Sequence, residues 1–430
     1  MGNNEGHERA RAVRFDLGGP RALRRRAADS SRRRALFVSS PIGLGHIHRD
    51  LAIARELRAL VPELEIDWLA QDPVTRVLKR EQETIHPASR WLASEASYWT
   101  ARASGHELNC FQAFRRMDEI LVANFMVFHD VVHDGAYDVW IADEGWEIDH
   151  FLHEHPALKT APFVWLTDFV GHLPLPEGGQ READLTTDYN AEMVEHIAKH
   201  PRVRDRAIFI GDPDDAVEEP LGRGLPSVHE WAQEHLEFVG YVNRFPEVRT
   251  DARSRLRAEL GYHDDEHICV VTVGGSGVGE RLLQRAVAAL PQARERDGRL
   301  RMVAVAGPRI DPACIGRQEG LDVRAFVPDL HLHLTVCDVA VVQGGLATTM
   351  ELTVNRRPFI YVPLERHYEQ LVHVDHRLRR HRAGRCVRFA DTEPDQLAQA
   401  IIEQQGSSTN YLPVDPRAAK QAANLIAEVL

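Results

Sequence analysis

Short apolar runs alternate with stretches of helical periodicity along most of the chain. In the first half the apolar runs are Ala35–Ser40, Leu64–Ala70, Val139–Ala142 and Pro162–Leu166, and helical periodicity extends from Ile47 to Leu60. In the second half they are His267–Val273, Arg301–Ala306, Val323–Val327, Val339–Val342 and Phe359–Val362. Because buried strands separated by helices form parallel sheets, the pattern predicts α/β domains with ligands at the carboxyl ends of the strands.

The chain divides into two such domains with flanking segments. The predicted divisions are an Arg-rich disordered leader (1–33), an N-terminal domain (34–240), a Pro- and charge-rich linker (241–262), a C-terminal domain (263–412) and a terminal helix (413–430).

Two glycine loops of the C-terminal domain each follow a strand and open a helix. The first is Gly274–Glu280, which contains Gly275, Ser276 and Gly277. Such a loop is also found in nicotinamide-binding proteins, so by itself it is weak evidence. The second is Gln343-Gly344-Gly345, which leads into a helix that starts near Leu346. Glycines let the backbone approach a ligand, and the free N–H groups of a helix start bind anions.

The helix after the second loop carries further candidate ligands. Ala347, Thr348 and Thr349 lie in its first turn, and the threonine hydroxyls can hydrogen-bond phosphate oxygens. Glu351 is one turn further and can accept hydrogen bonds from sugar hydroxyls. The strand Phe359–Val362 then leads to an acid–amide pair, Glu369-Gln370. This order suits a nucleoside diphosphate that carries a sugar.

Residues 338–370 resemble the donor-binding signature of nucleotide-sugar glycosyltransferases with the GT-B fold, among them the macrolide and plant natural-product transferases and the cell-wall GlcNAc transferase. In the family, a His precedes two glycine-like positions and a Glu lies eight residues later, which here is Glu351. The two family prolines match Pro358 and Pro363, and the closing acid–amide pair matches Glu369-Gln370, about two residues late. The family His is replaced by Gln343, which carries no charge.

This resemblance implies an α/β fold of two Rossmann-like domains facing across a cleft, and it implies roles for individual residues. Gly344, Gly345, Ala347, Thr348 and Thr349 would hold the phosphates, with Gln343 as a further donor. Gly275, Ser276 and Gly277 would lie against the diphosphate, Phe326 and Val327 would hold the base, Glu351 the ribose, and Glu369 and Gln370 the sugar. Phe326 fits a core position at a strand end equally well.

The same resemblance implies a catalytic base in the N-terminal domain. A catalytic His after a glycine in the first turn matches His46, and histidine titrates near working pH. Asp143 follows the strand Val139–Ala142 and would orient that His, with Glu144 as the rival. His46 could instead be a loop residue or a phosphate ligand, and Asp143 a helix N-cap. The Asn-Pro that follows the His in the family is His48-Arg49 here.

Composition restricts the partners. The formal charge is −12, although the first 34 residues hold ten arginines and four acidic residues, so the acidic body argues against nucleic-acid binding. No apolar segment is long enough to span a membrane or act as a secretory signal. Five scattered cysteines indicate a reduced, cytoplasmic protein. The 23 histidines form no recognised zinc pattern, so we expect no metal and no cofactor.

The sequence therefore predicts an inverting, metal-independent glycosyltransferase with a UDP- or dTDP-sugar donor and a small-molecule acceptor such as a secondary metabolite. The acceptor pocket should draw on Ile85–Phe128 and Trp165–Tyr189. Two alternatives remain: a nucleotide-sugar epimerase of the same fold, and a non-catalytic helper protein. Whether the chain forms a homodimer stays open.

Overall fold

The computed structural model describes residues 32–245, 247–275 and 277–430. Nearly all of the predicted leader, residues 1–31, lies outside these ranges. The N-terminal domain contains a parallel sheet of seven strands in the order β3-β2-β1-β4-β5-β6-β7. The strands are β1 (Arg34–Val38), β2 (Glu65–Leu69), β3 (Thr84–Ile85), β4 (Val139–Asp143), β5 (Phe163–Thr167), β6 (Arg206–Phe209) and β7 (Glu237–Phe238).

Eight helices cover this sheet in the described chain. They are α1 (Leu44–Leu60), α2 (Val74–Arg80), α3 (Glu95–Arg102), α4 (Cys110–Arg115), α5 (Asp118–Asp134), α6 (Trp146–Glu154), α7 (Gly179–Lys199) and α8 (Val228–His235). All residues of β4 and β5 are buried, which explains why these strands are continuous apolar runs rather than alternating ones.

The C-terminal domain contains a parallel sheet of six strands in the order β10-β9-β8-β11-β12-β13. The strands are β8 (His267–Thr272), β9 (Leu300–Val305), β10 (Leu321–Arg324), β11 (Val339–Val342), β12 (Phe359–Tyr361) and β13 (Arg385–Cys386). The helices are α9 (Thr250–Glu259), α10 (Glu280–Arg296), α11 (Leu330–Val336), α12 (Leu346–Val354), α13 (Asp375–His381), α14 (Pro394–Gln405) and α15 (Ala418–Ala427), and a π-helical turn (Glu369–Val374) precedes α13.

The predicted α/β fold is confirmed, and each predicted strand is present within three residues of its expected ends. Four strands at or next to the sheet edges were missed: β3, β6, β7 and β13 have two to four residues each and no long apolar run. The segment expected to be a linker contains the helix α9. Its Arg257 donates to Val336 O (2.9 Å) and to Asp338 Oδ2 (3.0 Å), so α9 is anchored to the C-terminal domain.

The two domains are in contact at several places. The terminal helix α15 packs against α1 of the N-terminal domain, and Arg206 Nη2 donates to Glu428 Oε2 (2.5 Å) just beyond α15. The segment 104–110 of the N-terminal domain pairs with the segment after β12. Leu108 N donates to Glu365 O (3.0 Å), and Glu365 N donates to His106 O (3.0 Å). The two sheets are thereby held with a cleft between them.

Candidate functional site

The cleft between the domains has two connected ends. The first, which we call the Phe326 end, includes Phe245, Phe326 and His331 in its lining. The second, the His46 end, is lined by His46 and Glu369 among others. Both ends share six lining residues from the turn before α1, the first glycine loop and the start of α12. These are Leu44, Gly45, Gly274, Gly275, Ala347 and Thr348.

His46 and Asp143 are hydrogen-bonded at the bottom of the His46 end. The helix α1 begins at Leu44, three residues earlier than expected, so His46 lies in its first turn. Asp143 is the last residue of β4 and is fully buried. His46 Nδ1 lies 2.9 Å from Asp143 Oδ2, and 20% of the His46 side chain is exposed, toward the cleft it lines. This arrangement fixes the ring orientation and leaves the ring accessible from the cleft.

Arg49 lies one helical turn beyond His46 and forms ion pairs with two buried carboxylates. Its Nε donates to Asp143 Oδ2 (3.1 Å), its Nη2 to Asp143 Oδ1, and its Nη1 to Asp168 Oδ2. Burial opposes ionisation of Asp143, but the charges of Arg49 and His46 outweigh it and hold the pKa of Asp143 below its usual range. Asp143 is therefore ionised when it contacts His46.

The rival carboxyl, Glu144, faces a different set of partners. Its backbone has a φ of +53°, and its Oε1 accepts hydrogen bonds from Thr167 Oγ1 (2.9 Å) and Asp168 N (3.0 Å). Burial, together with the charges of Asp168 and Asp143, raises the pKa of Glu144 well above its usual value. Glu144 thus orders the end of β5, and Asp143 is the carboxylate at His46.

Two carboxyls near His46 were missed from the sequence. Asp168 follows β5 and is paired with Arg49, as described above. Asp50 is fully buried, and its Oδ2 accepts a hydrogen bond from Ser39 Oγ (2.5 Å). Burial and the neighbouring Asp143 raise the pKa of Asp50 well above its usual value, so this group is a neutral acid behind Asp143. The sequence did contain a signal for Asp50. Arg49 and Asp50 are the third and fourth residues after His46, and residues at these spacings lie on the same side of a helix as His46.

The start of α12 lies at the junction of the two ends of the cleft. Gly345 is the N-cap of α12, and Ala347 and Thr348 line both ends. A Cβ atom on Gly45 would lie 2.3 Å from Ala347 Cβ, so the turn before α1 approaches this helix start closely only because residue 45 is glycine. The first N–H groups of a helix have no partner within the helix, so the start of α12 is where the sequence predicts an anion site.

Two residues that were predicted to contact phosphate have other hydrogen-bond partners in this structure. Thr349 is fully buried, and its Oγ1 donates to Leu346 O (2.9 Å) and Gly345 O (3.1 Å), so its hydroxyl is used inside the helix. The amide of Gln343 donates instead to Val278 O (3.0 Å). Gln343 lines the His46 end, and its hydrogen bond to Val278 connects the two glycine loops.

The glycines of the two loops differ in their positions. Gly275 lines both ends of the cleft. Gly277 has a φ of +82° and lies against Thr100 and Arg309, and it is not among the described residues that line the cleft. Gly344 has a φ of +92° and lies against Pro363, so it shapes the turn rather than lining the cleft. Ser276 lies outside the described residues.

The Phe326 end holds the residues expected for a base and a ribose. Phe326 is 37% exposed and is therefore not a core residue, and Val327 lies beside it in the lining. Glu351 lines the same end, and burial raises its pKa to about 7. Phe245 and His331 line the same end and stack with 3.4 Å between ring centroids. This end of the cleft therefore offers several aromatic rings to a base.

The acid–amide pair lies at the His46 end, as the sequence predicts for a sugar site. Burial and the charge of Asp168 raise the pKa of Glu369 to about 8, and Arg49 opposes this shift. Gln370 lines the same end, but its Oε1 accepts a hydrogen bond from Leu364 N (2.9 Å). Its carbonyl thus holds the segment that follows Pro363, which leaves only its amide nitrogen for a ligand.

The described residues contain two clusters of side chains that could hold a metal ion, and neither lines the cleft. They are Glu154–Glu192–His196, and Asp212–Asp215–His381. In the second cluster Arg380 pairs with Asp215 (2.7 Å) and Asp212 (2.8 Å). None of the described helices is both long and apolar enough to cross a membrane.

Comparison with known sequences gives two matches. Residues 268–430 match the glycosyltransferase family 28 C-terminal domain. Over 179 residues, or 41% of this chain, the sequence is 29% identical to an uncharacterized glycosyltransferase of Methanopyrus kandleri. The match covers 50% of that relative, so the chain matches about half of the relative's length.

Solved structures match almost the whole chain. The calicheamicin glycosyltransferase CalG4 has a TM-score of 0.56 at 16% identity, over 93% of this chain and 95% of that one. The spinosyn rhamnosyltransferase SpnG, complexed with thymidine diphosphate, has a TM-score of 0.53 at 14% identity, over 92% and 96%. Together these matches confirm the predicted GT-B fold and the predicted resemblance to nucleotide-sugar glycosyltransferases.

Proposed function

We propose that this protein, a GT-B protein with a glycosyltransferase family 28 C-terminal domain, transfers a sugar from a UDP- or dTDP-sugar to a hydroxyl of a small-molecule acceptor. The observation that carries the proposal is the His46–Asp143 pair, 2.9 Å apart, at the end of a cleft that also contains a helix start. A base and an anion site at neighbouring points of one cavity are what such a transfer requires.

The donor would lie along the cleft from the Phe326 end to the His46 end. Its base would stack near Phe326, its ribose hydroxyls would donate to Glu351, and its diphosphate would meet the N–H groups at the start of α12. Its sugar would then reach Glu369. A dTDP-linked donor has support from SpnG, a structural neighbour that was solved with thymidine diphosphate.

The reaction needs a base for the acceptor proton and a site for the leaving diphosphate. His46 would accept the proton as the acceptor oxygen attacks the anomeric carbon, and ionised Asp143 would stabilise the resulting imidazolium. The bond from the anomeric carbon to the diphosphate breaks, and the N–H groups of α12 stabilise the charge on the leaving oxygen. Attack from the face opposite the diphosphate inverts the anomeric configuration. These groups supply the chemistry without a metal ion.

One assay tests this proposal. The protein is incubated with UDP- or dTDP-sugars and a panel of hydroxyl-bearing natural products, with and without excess EDTA. We expect release of the nucleoside diphosphate, an inverted product and equal rates in both conditions. A loss of rate with EDTA that a divalent ion restores would reject metal independence, and a retained configuration would reject the direct attack.

Two controls separate the alternatives. Incubation with the donor alone would produce an isomerised sugar if the protein is an epimerase. A thermal-shift series with UDP, dTDP and GDP shows whether the cleft binds nucleotide, because a ligand of the folded state raises the melting temperature. A helper protein with a decayed site would show no shift.

All five cysteines are free, which supports a reducing, cytoplasmic site of action.

A further inference from the structure

A second cavity lies inside the N-terminal domain, between α4, α5, α6 and α7. Its volume is about 300 Å³, and it shares no described lining residue with the cleft. Much of its wall is apolar or aromatic, from Phe114, Leu121, Trp146, Phe151, Tyr189 and Met193. Phe114 and Trp146 lie edge to face, with 6.4 Å between ring centroids. A cavity of this size and lining suits an apolar organic molecule.

The polar part of the lining contains four carboxyl residues and three histidines. The carboxyl residues are Asp118, Glu147, Asp149 and Glu192, the histidines are His150, His172 and His196, and no Lys or Arg is among the described lining residues. Asp149 is neutralised from behind by Arg204, which donates to both of its oxygens at 2.6 Å. Arg115 lies beside Tyr189 at the rim, where it offsets part of the charge of Asp118. Glu147 has no such partner.

Glu147 is 8% exposed, and among the described residues no side chain hydrogen-bonds its carboxyl group, whose partner is its own backbone N–H. The charge of a neighbouring acid, Glu95, acts on it, and the Glu95 carboxyl is already bonded to Gln71 (3.0 Å) and Asn124 (2.9 Å). A buried carboxyl without a cationic partner is costly to ionise, so burial, with the charge of Glu95, raises the pKa of Glu147 to about 8. A cation in the cavity would supply that partner.

The cavity lies directly behind the His46 end of the cleft. Trp146 is three residues beyond Asp143 and is the first residue of α6. His172, in the cavity lining, is hydrogen-bonded through Nδ1 to the hydroxyl of Tyr368 (2.8 Å), which immediately precedes Glu369. The wall of the cavity is therefore connected to the sugar site through His172 and Tyr368.

We propose that this cavity binds the basic amine of an apolar acceptor, with Glu147 as the counter-ion and Trp146, Phe114 and Tyr189 as the surrounding rings. Aromatic faces attract an ammonium group, and a desolvated carboxylate pairs with it. The identification of the ligand as the acceptor rests on the proposed function. The binding of an amine in the cavity does not depend on that function.

The test uses three matched probes in the absence of nucleotide: 4-phenylbutylamine, the neutral 4-phenylbutanol and the anionic 4-phenylbutyrate. By calorimetry at pH 7, we expect the amine to bind at least tenfold more tightly than the alcohol, and the acid to bind most weakly. Amine binding should release protons as Glu147 ionises, which appears as a dependence of the binding heat on the ionisation enthalpy of the buffer. Equal binding of amine and alcohol would overturn the proposal.

Variants locate the effect. Glu147→Gln should weaken amine binding at least tenfold, abolish the proton release and leave alcohol binding unchanged. Trp146→Leu should weaken both. Glu119→Gln, an exposed residue of α5 outside the lining, should change nothing. UDP binding by each variant reports an intact fold. An unchanged amine affinity in Glu147→Gln would remove the counter-ion role.

A transfer assay then tests the acceptor assignment. With hydroxyl acceptors that carry an amine, Glu147→Gln should raise the KM for the acceptor and leave the KM for the donor unchanged. Amine binding without any such change would reject the acceptor role but keep the cavity. Absence of nucleotide binding and transfer in the unmodified protein would instead reject the proposed function, so the two failures are distinguishable.

Discussion

His46 Nδ1 and Asp143 Oδ2 lie 2.9 Å apart, although 97 positions separate the two residues in the chain. The contact follows from the topology: β1 and β4 are adjacent and parallel, with Val38 opposite Ala142. The residues that follow these strands therefore meet at one edge of the sheet. The pair could be inferred from the sequence because each partner follows a recognisable buried strand.

Removing the His46 imidazole should reduce transfer without affecting the nucleotide site. We expect His46→Ala to lower kcat by about a hundredfold to ten-thousandfold, the usual contribution of a positioned base. UDP affinity, measured by calorimetry, should barely change. His155→Ala, an exposed histidine of the same domain, is the matched control and should retain full activity. Near-normal turnover by His46→Ala would assign the base to another residue.

Removing the Arg49 charge should affect both stability and the pH profile. Arg49→Met leaves Asp143 and Asp168 buried without their cation, which should cost about 3–5 kcal/mol of folding free energy. The pKa of Asp143 should rise, so the acid limb of the pH–rate profile should move to higher pH. Arg49→Lys should restore part of both properties. A profile that is unchanged in Arg49→Met would show that Arg49 only stabilises the fold.

The sequence predicted the long buried strands, the two glycine loops and the positions of His46, Asp143, Glu351 and Glu369 because each lies in or next to a regular element with a clear apolar pattern. Hydrogen-bond partners were not predictable in the same way. Gln343 was expected at a phosphate, but its amide meets Val278 O, a carbonyl 65 positions earlier in the chain. The geometry of that approach depends on the packing of two loops and has no periodic signal.

The roles of Thr349 and Arg49 could not be predicted from the sequence, for two different reasons. Thr349 lies in the first turn of α12, where a hydroxyl can face either the ligand or the helix carbonyls, and residue type does not decide between them. Arg49 appeared only as a departure from the family pattern. Its role depends on Asp143 and Asp168, which β4 and β5 bring to the same point.

Glu351 and Thr349 offer a paired test of the donor site. Glu351→Ala should weaken nucleotide binding by about 1–3 kcal/mol, because ribose hydroxyls lose a buried acceptor. Thr349→Val should leave nucleotide affinity unchanged, since its hydroxyl donates to Gly345 O and Leu346 O within the helix. Calorimetry with UDP and dTDP measures both. A large loss of affinity in Thr349→Val would contradict this prediction, because it would show that the Thr349 hydroxyl contacts the phosphate.

Glu369 should make the stability of the protein depend on pH. In the folded state burial and Asp168 raise its pKa to about 8, against an ordinary value of 4.5. Between these values the folded chain keeps a proton that the unfolded chain loses, so stability falls as pH rises through this window. Glu369→Gln does not titrate. The Tm of Glu369→Gln relative to that of the unmodified protein should therefore rise steadily from pH 4.5 to pH 8 and stay level above it.

Thermal melts at pH 4.5, 6.5 and 8.5 measure this difference, with Glu119→Gln as the exposed control that should show no trend. The same Glu369 variant should lose transfer activity while UDP affinity is kept, because Glu369 lies at the His46 end and the nucleotide at the other. Glu369→Gln should therefore be more stable but less active, as expected when a buried acid contributes to ligand binding and not to stability. A Tm difference that is the same at every pH would show that Glu369 is already ionised in the folded protein.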